Sequence, residues 1–238
     1  MGLTNKSTGI TTVASYDIDI VKTNEDDKVI AIAGNPNVGK STVFNALTGA
    51  RQHTGNWPGK TVTNAQGTHS YKDKNFILVD IPGTYSIMAN SVEEEVARDF
   101  ICFGNPDSVV VVTDATCLER NLNLVLQILE ITQNVIVCVN LLDEARKKKI
   151  SIDLDELSIQ LGVPVVGTSA RSKKGLDSLS EEIYNVSHGI KETFYIKTEY
   201  DEIIEECISI LEPTVQDIVK DKLNARWVST KLLDIDND

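Results

Sequence analysis

The octapeptide GNPNVGKS at 34–41 sets two glycines, a lysine and a serine in the order G-x-x-x-x-G-K-S. It follows the β-branched run KVIAIA at 28–33 and opens the helical stretch STVFNALTG. A plain glycine-rich turn has no need of that context. A phosphate-binding loop does, because the glycines let the backbone curl around anionic oxygens and the helix N-terminus adds a positive field. Gly34, Asn35, Pro36, Asn37, Val38, Gly39, Lys40, Ser41 and Thr42 are the expected cradle. Lys40 is expected at the β- and γ-phosphates, and the Ser41 hydroxyl on a magnesium ion.

Three further motifs stand at expected strand ends. In DIPG, 80–83, Asp80 suits water-mediated contact with magnesium, and Gly83 can turn its N–H toward a γ-phosphate. In NLLD, 140–143, the Asp143 carboxylate can accept from both the ring N–H and the amino group of guanine, a donor pair that adenine lacks. Asn140 can serve the O6/N7 edge of the same base. An isolated Asp there would read equally as a helix start. In TSA, the backbone of Thr168, Ser169 and Ala170 can cap the guanine oxygen. The expected ligand is GTP, with GDP as its product, rather than ATP; that choice rests on Asp143.

Between the phosphate loop and Asp80 lies GNWPGKTVTNAQG, 55–67, which has neither a helical nor a strand period. A loop that gains its order from a γ-phosphate and magnesium needs little packing of its own. Thr61 and Thr63 are the candidate hydroxyls, and Trp57 is expected to lie as a lid over the nucleotide. Thr84 stands directly after Gly83, where many GTPases place a water-orienting glutamine.

These residues need a scaffold, and the chain's alternation supplies one. Apolar runs at 28–33, 76–81, 108–113, 135–139 and 163–166 suit strands buried on both faces of a parallel sheet. Helical patterns intervene, at 91–103 behind a Ser91 cap and at 118–132. The expected fold is α/β: a doubly wound, mostly parallel P-loop GTPase sheet flanked by helices, with a small all-helical subdomain at the C-terminus. The expected divisions are an extension at 1–27, a G domain at 28–188 and a helical subdomain at 189–238. In the last, a stripe from Tyr200 to Leu211 is expected to end at Pro213, with 217–234 as further helix.

Net charge is −12, from 23 Lys and Arg against 35 Asp and Glu, which argues against a nucleic-acid partner. Cys102, Cys117, Cys138 and Cys207 form no C-x-x-C pair, and three of them sit in apolar or periodic stretches, so buried free thiols and a reducing compartment are expected. No apolar run reaches the ~20 residues of a membrane span, and a soluble chain is expected. His53 and His69 are expected at the surface, the run 146–149 on a solvated helix face, and Arg51 as an exposed charge or a finger in cis. No Cys/His cluster has the spacing of an iron site.

The stretches GNPNVGKS, TGNWPGKTV, VDIPGTYS, DATCLERNL and NLLDEARKK resemble the cytoplasmic G domain of ferrous iron transport protein B, from about 28 to 188. RWVSTKLLD, 226–234, resembles the helical domain that follows in that family. The resemblance implies slow, potassium-stimulated GTP hydrolysis. It implies magnesium bound by Ser41, Thr61 and Asp80, and potassium held by Asn37 with switch carbonyls around Gly55 to Trp57. It also implies a membrane transport domain in the full-length protein, with this part on the cytoplasmic face of the inner membrane. Lys60 departs from the pattern, since an apolar residue often stands there. Two other readings remain open at this point: a free GTPase acting on ribosomes or RNA, and a module that binds GTP without turnover. Homo-oligomerisation is likewise open.

Overall fold

A computed structural model describes residues 20, 22, 24, 26–49, 52–57, 60–88, 91–194, 197–220 and 222–234. Almost all of the expected extension at 1–27, and Arg51, lie outside them.

Five strands form the parallel body of the sheet: β1 (Lys28–Gly34), β4 (Lys74–Asp80), β5 (Ser108–Asp114), β6 (Val135–Asn140) and β7 (Val165–Gly167). Two more, β2 (Gln52–Asn56) and β3 (Thr63–Tyr71), run antiparallel and complete the order β2-β3-β4-β1-β5-β6-β7. Within each apolar run, alternate residues enter different cores. Val29, Ala31 and Ala33 face one cluster with Val79, Val109 and Val111. Ile30 and Ile32 face the other, with Leu78, Val110 and Val112. The first core is closed by α2 (Val92–Phe103) and α3 (Leu118–Ile131), the second by α1 (Lys40–Thr48) and α6 (Leu176–Ser187). Two shorter helices, α4 (Leu142–Lys147) and α5 (Leu154–Leu161), lie between β6 and β7 in the chain. At the start of α2 the Ser91 hydroxyl accepts from Glu94 N at 3.2 Å, the cap expected there, a contact worth about 1 kcal/mol.

The hairpin of β2 and β3 corrects the expectation of a segment without strand structure. Its side chains are mostly polar, so periodicity gives no signal; the ladder to β4 supplies the order instead, from Ala65↔Asp80 to Tyr71↔Lys74. Lys72 and Asp73 close the β3–β4 turn with φ of 49° and 59°, the paired positive values of a tight hairpin.

After α6, α7 (Glu202–Val219) and α8 (Ala225–Leu233) pack on each other, and the described residues contain no further strand. Pro213 does not end α7 as expected. A proline inside a helix costs about 3 kcal/mol, yet α7 keeps Ile208 on one side of it and Val215 on the other, both buried. The turn comes at Lys220, whose φ is 54°. Tyr200 precedes the helix, and its hydroxyl donates to Glu130 Oε1 on α3 at 2.8 Å. Among the described residues no helix is long and apolar enough to cross a membrane.

Arg226 of α8 fastens this part together. Its guanidinium donates to both Glu205 oxygens, at 2.9 and 2.6 Å, and to Thr198 O at 2.9 Å. That guanidinium first, and Tyr200 N–H second, hold the Glu205 carboxyl down at about 2. The folded value lies below the ordinary 4.5, so the pair's contribution is complete above pH 4.5 and is lost as pH falls toward 2. Urea midpoints of the wild type should therefore fall more steeply over that interval than those of Glu205→Gln.

Candidate functional site

β1 has β4 on one side and β5 on the other, so the chain changes direction around it. Ligands of such sheets lie in the crevice beyond the strands' C-terminal ends at that point. The expected motifs converge there. The loop after β1 curls through Asn37, with φ 67°, and Gly39, with φ 83°. Gly39 is required twice over, because a Cβ there would stand 2.4 Å from Asn140 Nδ2. A Cβ on Gly34 would stand 2.4 Å from Val112 O of β5. Ser41 and Thr42 lie exposed in the first turn of α1, where backbone N–H groups have no helical acceptor.

The Lys40 ammonium pairs with Asp80 Oδ1 and donates to Ile81 O at 2.8 Å. Burial pushes the Asp80 carboxyl above its ordinary range, and the Lys40 charge opposes that rise. Both side chains line a cavity of about 410 Å3 together with Thr54, Thr63 and Pro82. Thr63 reaches this wall, whereas Thr61 is exposed outside it. Gly83 sits against the phosphate loop, its would-be Cβ 3.5 Å from Pro36 N. Thr84 is buried, and its N–H donates to Gly34 O at 3.3 Å.

Among the described residues no three His, Cys, Asp or Glu side chains cluster as a complete metal cage. Magnesium does not need one, since it takes one or two carboxylates and completes its shell with phosphate and water oxygens. The Ser41 hydroxyl and Asp80 carboxylate fit that donor set. Asn37, exposed at the rim, offers an amide oxygen suited to a hard monovalent ion.

At the base end, Asn140 is 1% exposed and, from the end of β6, joins two loops. Its Nδ2 donates to Val38 O at 3.1 Å, while its Oδ1 accepts from Thr168 Oγ1 and Ala170 N, each at 3.1 Å. Asp143 lies in the first turn of α4, and its N–H donates to Ser169 Oγ at 3.2 Å. The TSA backbone differs from expectation: Thr168 N donates to Val139 O, Ser169 N to Lys174 O and Ala170 N to Asn140 Oδ1. All three donors already have protein acceptors. Capping a guanine oxygen from Ala170 would require its N–H to be shared with Asn140.

Two residues contradict their expected exposure. Trp57 is 2% exposed, lies in the first core cluster, and meets Phe100 of α2 edge to face at 5.3 Å. It is a core residue rather than a lid, because burying an indole gains more than covering a polar ligand would. Its Nε1 and Asn35 Oδ1 are buried without hydrogen-bond partners among the described atoms. His69 is no surface residue either. It bridges Leu47 O, at 3.0 Å from Nδ1, and Ser180 Oγ, at 3.0 Å from Nε2, so β3 is tied to α1 and α6. Strand alternation across 63–71 would have flagged His69 as inward, had the strand been recognised. His53 and residues 146–149 are exposed, as expected. Cys102 and Cys138 are buried free thiols as expected, whereas Cys207 is half-buried on α7 and Cys117, at the start of α3, is exposed. A cavity of about 480 Å3 at the opposite end of the sheet, lined by Cys102, Asn105 and Asn134, holds none of the motif residues.

A parallel sheet with a curled glycine loop at its switch point, a lysine at that loop's helix and an Asn–Asp pair at a neighbouring strand end defines a P-loop G domain. A family model described as ferrous iron transport protein B matches residues 28–183, and the chain belongs to that family. The Fe(2+) transporter FeoB of Shigella flexneri is 38% identical over 214 residues, 87% of this chain and 27% of the relative. The chain thus spans about a quarter of the length of the curated relatives it matches. The cytosolic domain of T. maritima FeoB in a GDP form superposes with a TM-score of 0.82 at 40% identity, covering 88% of this chain and 81% of that one. Its GMPPNP form gives 0.80 at 39% identity, over 89% and 82%.

Burial lowers the pKa of His69 below the ordinary 6.5, against a smaller opposing effect of Leu47 O. The neutral ring's contribution is therefore complete above pH 6.5, declines as pH falls below it, and levels off beneath the folded value. Between pH 7.5 and 5.5 the urea midpoint of the wild type should drop more than that of His69→Gln.

Proposed function

We propose that this chain is the GTP-binding and GTP-hydrolysing regulatory part of a ferrous iron membrane transporter. The observation that carries the reading is the convergence on Asn140, which joins the carbonyl of the phosphate loop to the loop beside Asp143. One side chain thereby fixes the distance between a phosphate cradle and a carboxylate placed to read a purine.

In this reading Asp143 accepts from the two guanine donors, and the second Asn140 amide hydrogen faces the base edge. Lys40, released from Asp80, neutralises the β- and γ-phosphates, and Gly83 turns its N–H to the γ-phosphate. Ser41, Asp80 and Thr61 hold magnesium, which supplies charge neutralisation across the phosphates when bound. Asn37 holds potassium, which supplies positive charge where a glutamine or arginine would otherwise act. Intrinsic turnover is slow because Thr84, buried and short, stands where a longer glutamine would orient water.

Residues 28–188 form the G domain and 189–238 the helical part that passes nucleotide state to a membrane domain in the full-length protein. Support comes from the relatives' length and from the direct contacts of α3 with Tyr200 and of Met88 Sδ with Lys231 Nζ of α8 at 3.4 Å. The working location is the cytoplasmic face of the inner membrane. Iron itself is cargo for the membrane part.

Calorimetry with GTP and ATP tests the reading directly. GTP should bind and ATP should not at equal concentration; equal binding would sink the assignment. Asp143→Ala should weaken GTP by about 10- to 100-fold, as expected when hydrogen bonds to a charged acceptor are lost. Single-turnover phosphate release should be on the order of tenfold faster in potassium than in sodium, about 1.4 kcal/mol of transition-state stabilisation. Asn37→Ala should abolish that difference between the salts.

A further inference from the structure

The residue that departs from the family pattern has a specific partner. Lys60 Nζ lies 2.7 Å from Glu95 Oε2 in the first turn of α2, with both side chains only partly exposed, 26% and 36%. Lys60 N also donates to Trp57 O at 3.0 Å, and Trp57 N to Val62 O at 2.8 Å. The loop is therefore fixed to α2 at two points: the Trp57 ring against Phe100, and the Lys60 charge against Glu95. Thr61 is the residue next to this second point, and it is exposed, outside the cavity that Lys40, Thr63 and Asp80 line.

We propose that Lys60 is a positioning residue for the switch: its pairing with Glu95 holds Thr61 on the α2 side, and the pair must open for Thr61 to reach the magnesium position. This rests on the assignment of Thr61 as the switch hydroxyl. A valine or isoleucine at position 60 can pack but cannot make a bond sensitive to ionic strength. In this chain the exchange between the two loop positions therefore has an electrostatic component. The docked position is also incompletely satisfied, since Trp57 Nε1 is buried without a partner among the described atoms. A docked arrangement with an unmet donor suits a contact that has to be reversible.

The test uses the whole chain with magnesium and compares affinity for GMPPNP with affinity for GDP. The variants are Lys60→Gln, Glu95→Gln, the double neutral variant, and the exchange Lys60→Glu with Glu95→Lys. Each single neutralisation should raise GMPPNP affinity by about two- to fivefold, the range of a partly exposed ion pair, and leave GDP affinity unchanged. The double variant should do no more than either single one, and the exchange should return the wild-type ratio. Raising sodium chloride at a fixed potassium concentration should reproduce the effect in the wild type and not in the neutral variants. An unchanged GMPPNP-to-GDP ratio in the single variants, or additive effects in the double one, would overturn the latch. Thr61→Ala separates the two assignments. If it leaves magnesium-dependent GMPPNP binding intact, the switch hydroxyl has been misplaced and the latch fails with it. If it weakens that binding while the neutral variants have no effect, only the latch fails.

Discussion

Asn140 is the tie on which the site depends. A buried amide must satisfy both its oxygen and its nitrogen, and this one does so with partners in two loops that are distant in sequence from it and from each other. In a water-excluded setting each of those bonds is worth keeping, because leaving a buried partner unmet costs about 1–3 kcal/mol. The phosphate loop cannot shift relative to the TSA loop without breaking one of them. The geometry of the base end is thus inherited by the phosphate end. Gly39 is the corollary: its missing side chain leaves the room that the amide occupies.

The other half of the site is built to opposite rules. Asp80 is half-buried beside Lys40, and the loop before β3 is held by one aromatic contact and one ion pair. In the proposed reading these are the contacts that give way to the nucleotide, and none of them is a rung of the sheet behind them. A rigid frame at Asn140 and a negotiable set of partners at Lys40 and Trp57 are what a nucleotide-dependent switch requires.

Much of this was legible before any coordinates. The doubly buried strands announce themselves as unbroken apolar runs, and the phosphate loop and the NLLD and DIPG motifs carry their chemistry in residue type and spacing. The family model and the solved relatives agree with that fold and resemblance. What the sequence concealed was order arising from backbone pairing. β2 and β3 are polar, so nothing in their pattern separates a strand from a loop. With the strand unseen, His69 looked solvent-facing and Trp57 looked stranded. Pro213 misled for the complementary reason, since local propensity was overruled by packing on both sides of it. The TSA donors could not be judged without knowing that Asn140 turns its oxygen toward them.

The placement of β1 has a consequence during synthesis. It is made before both of its neighbours in the sheet, which begin at residues 74 and 108. Until both have emerged, a ribbon of valine, isoleucine and alanine waits without a partner on at least one edge. Non-local parallel pairing of this kind is slow and open to aggregation. The strand that leads into the glycine loop thus depends for its pairing on residues made about forty and seventy-five positions after it, and the loop's placement is only as early as the second of them.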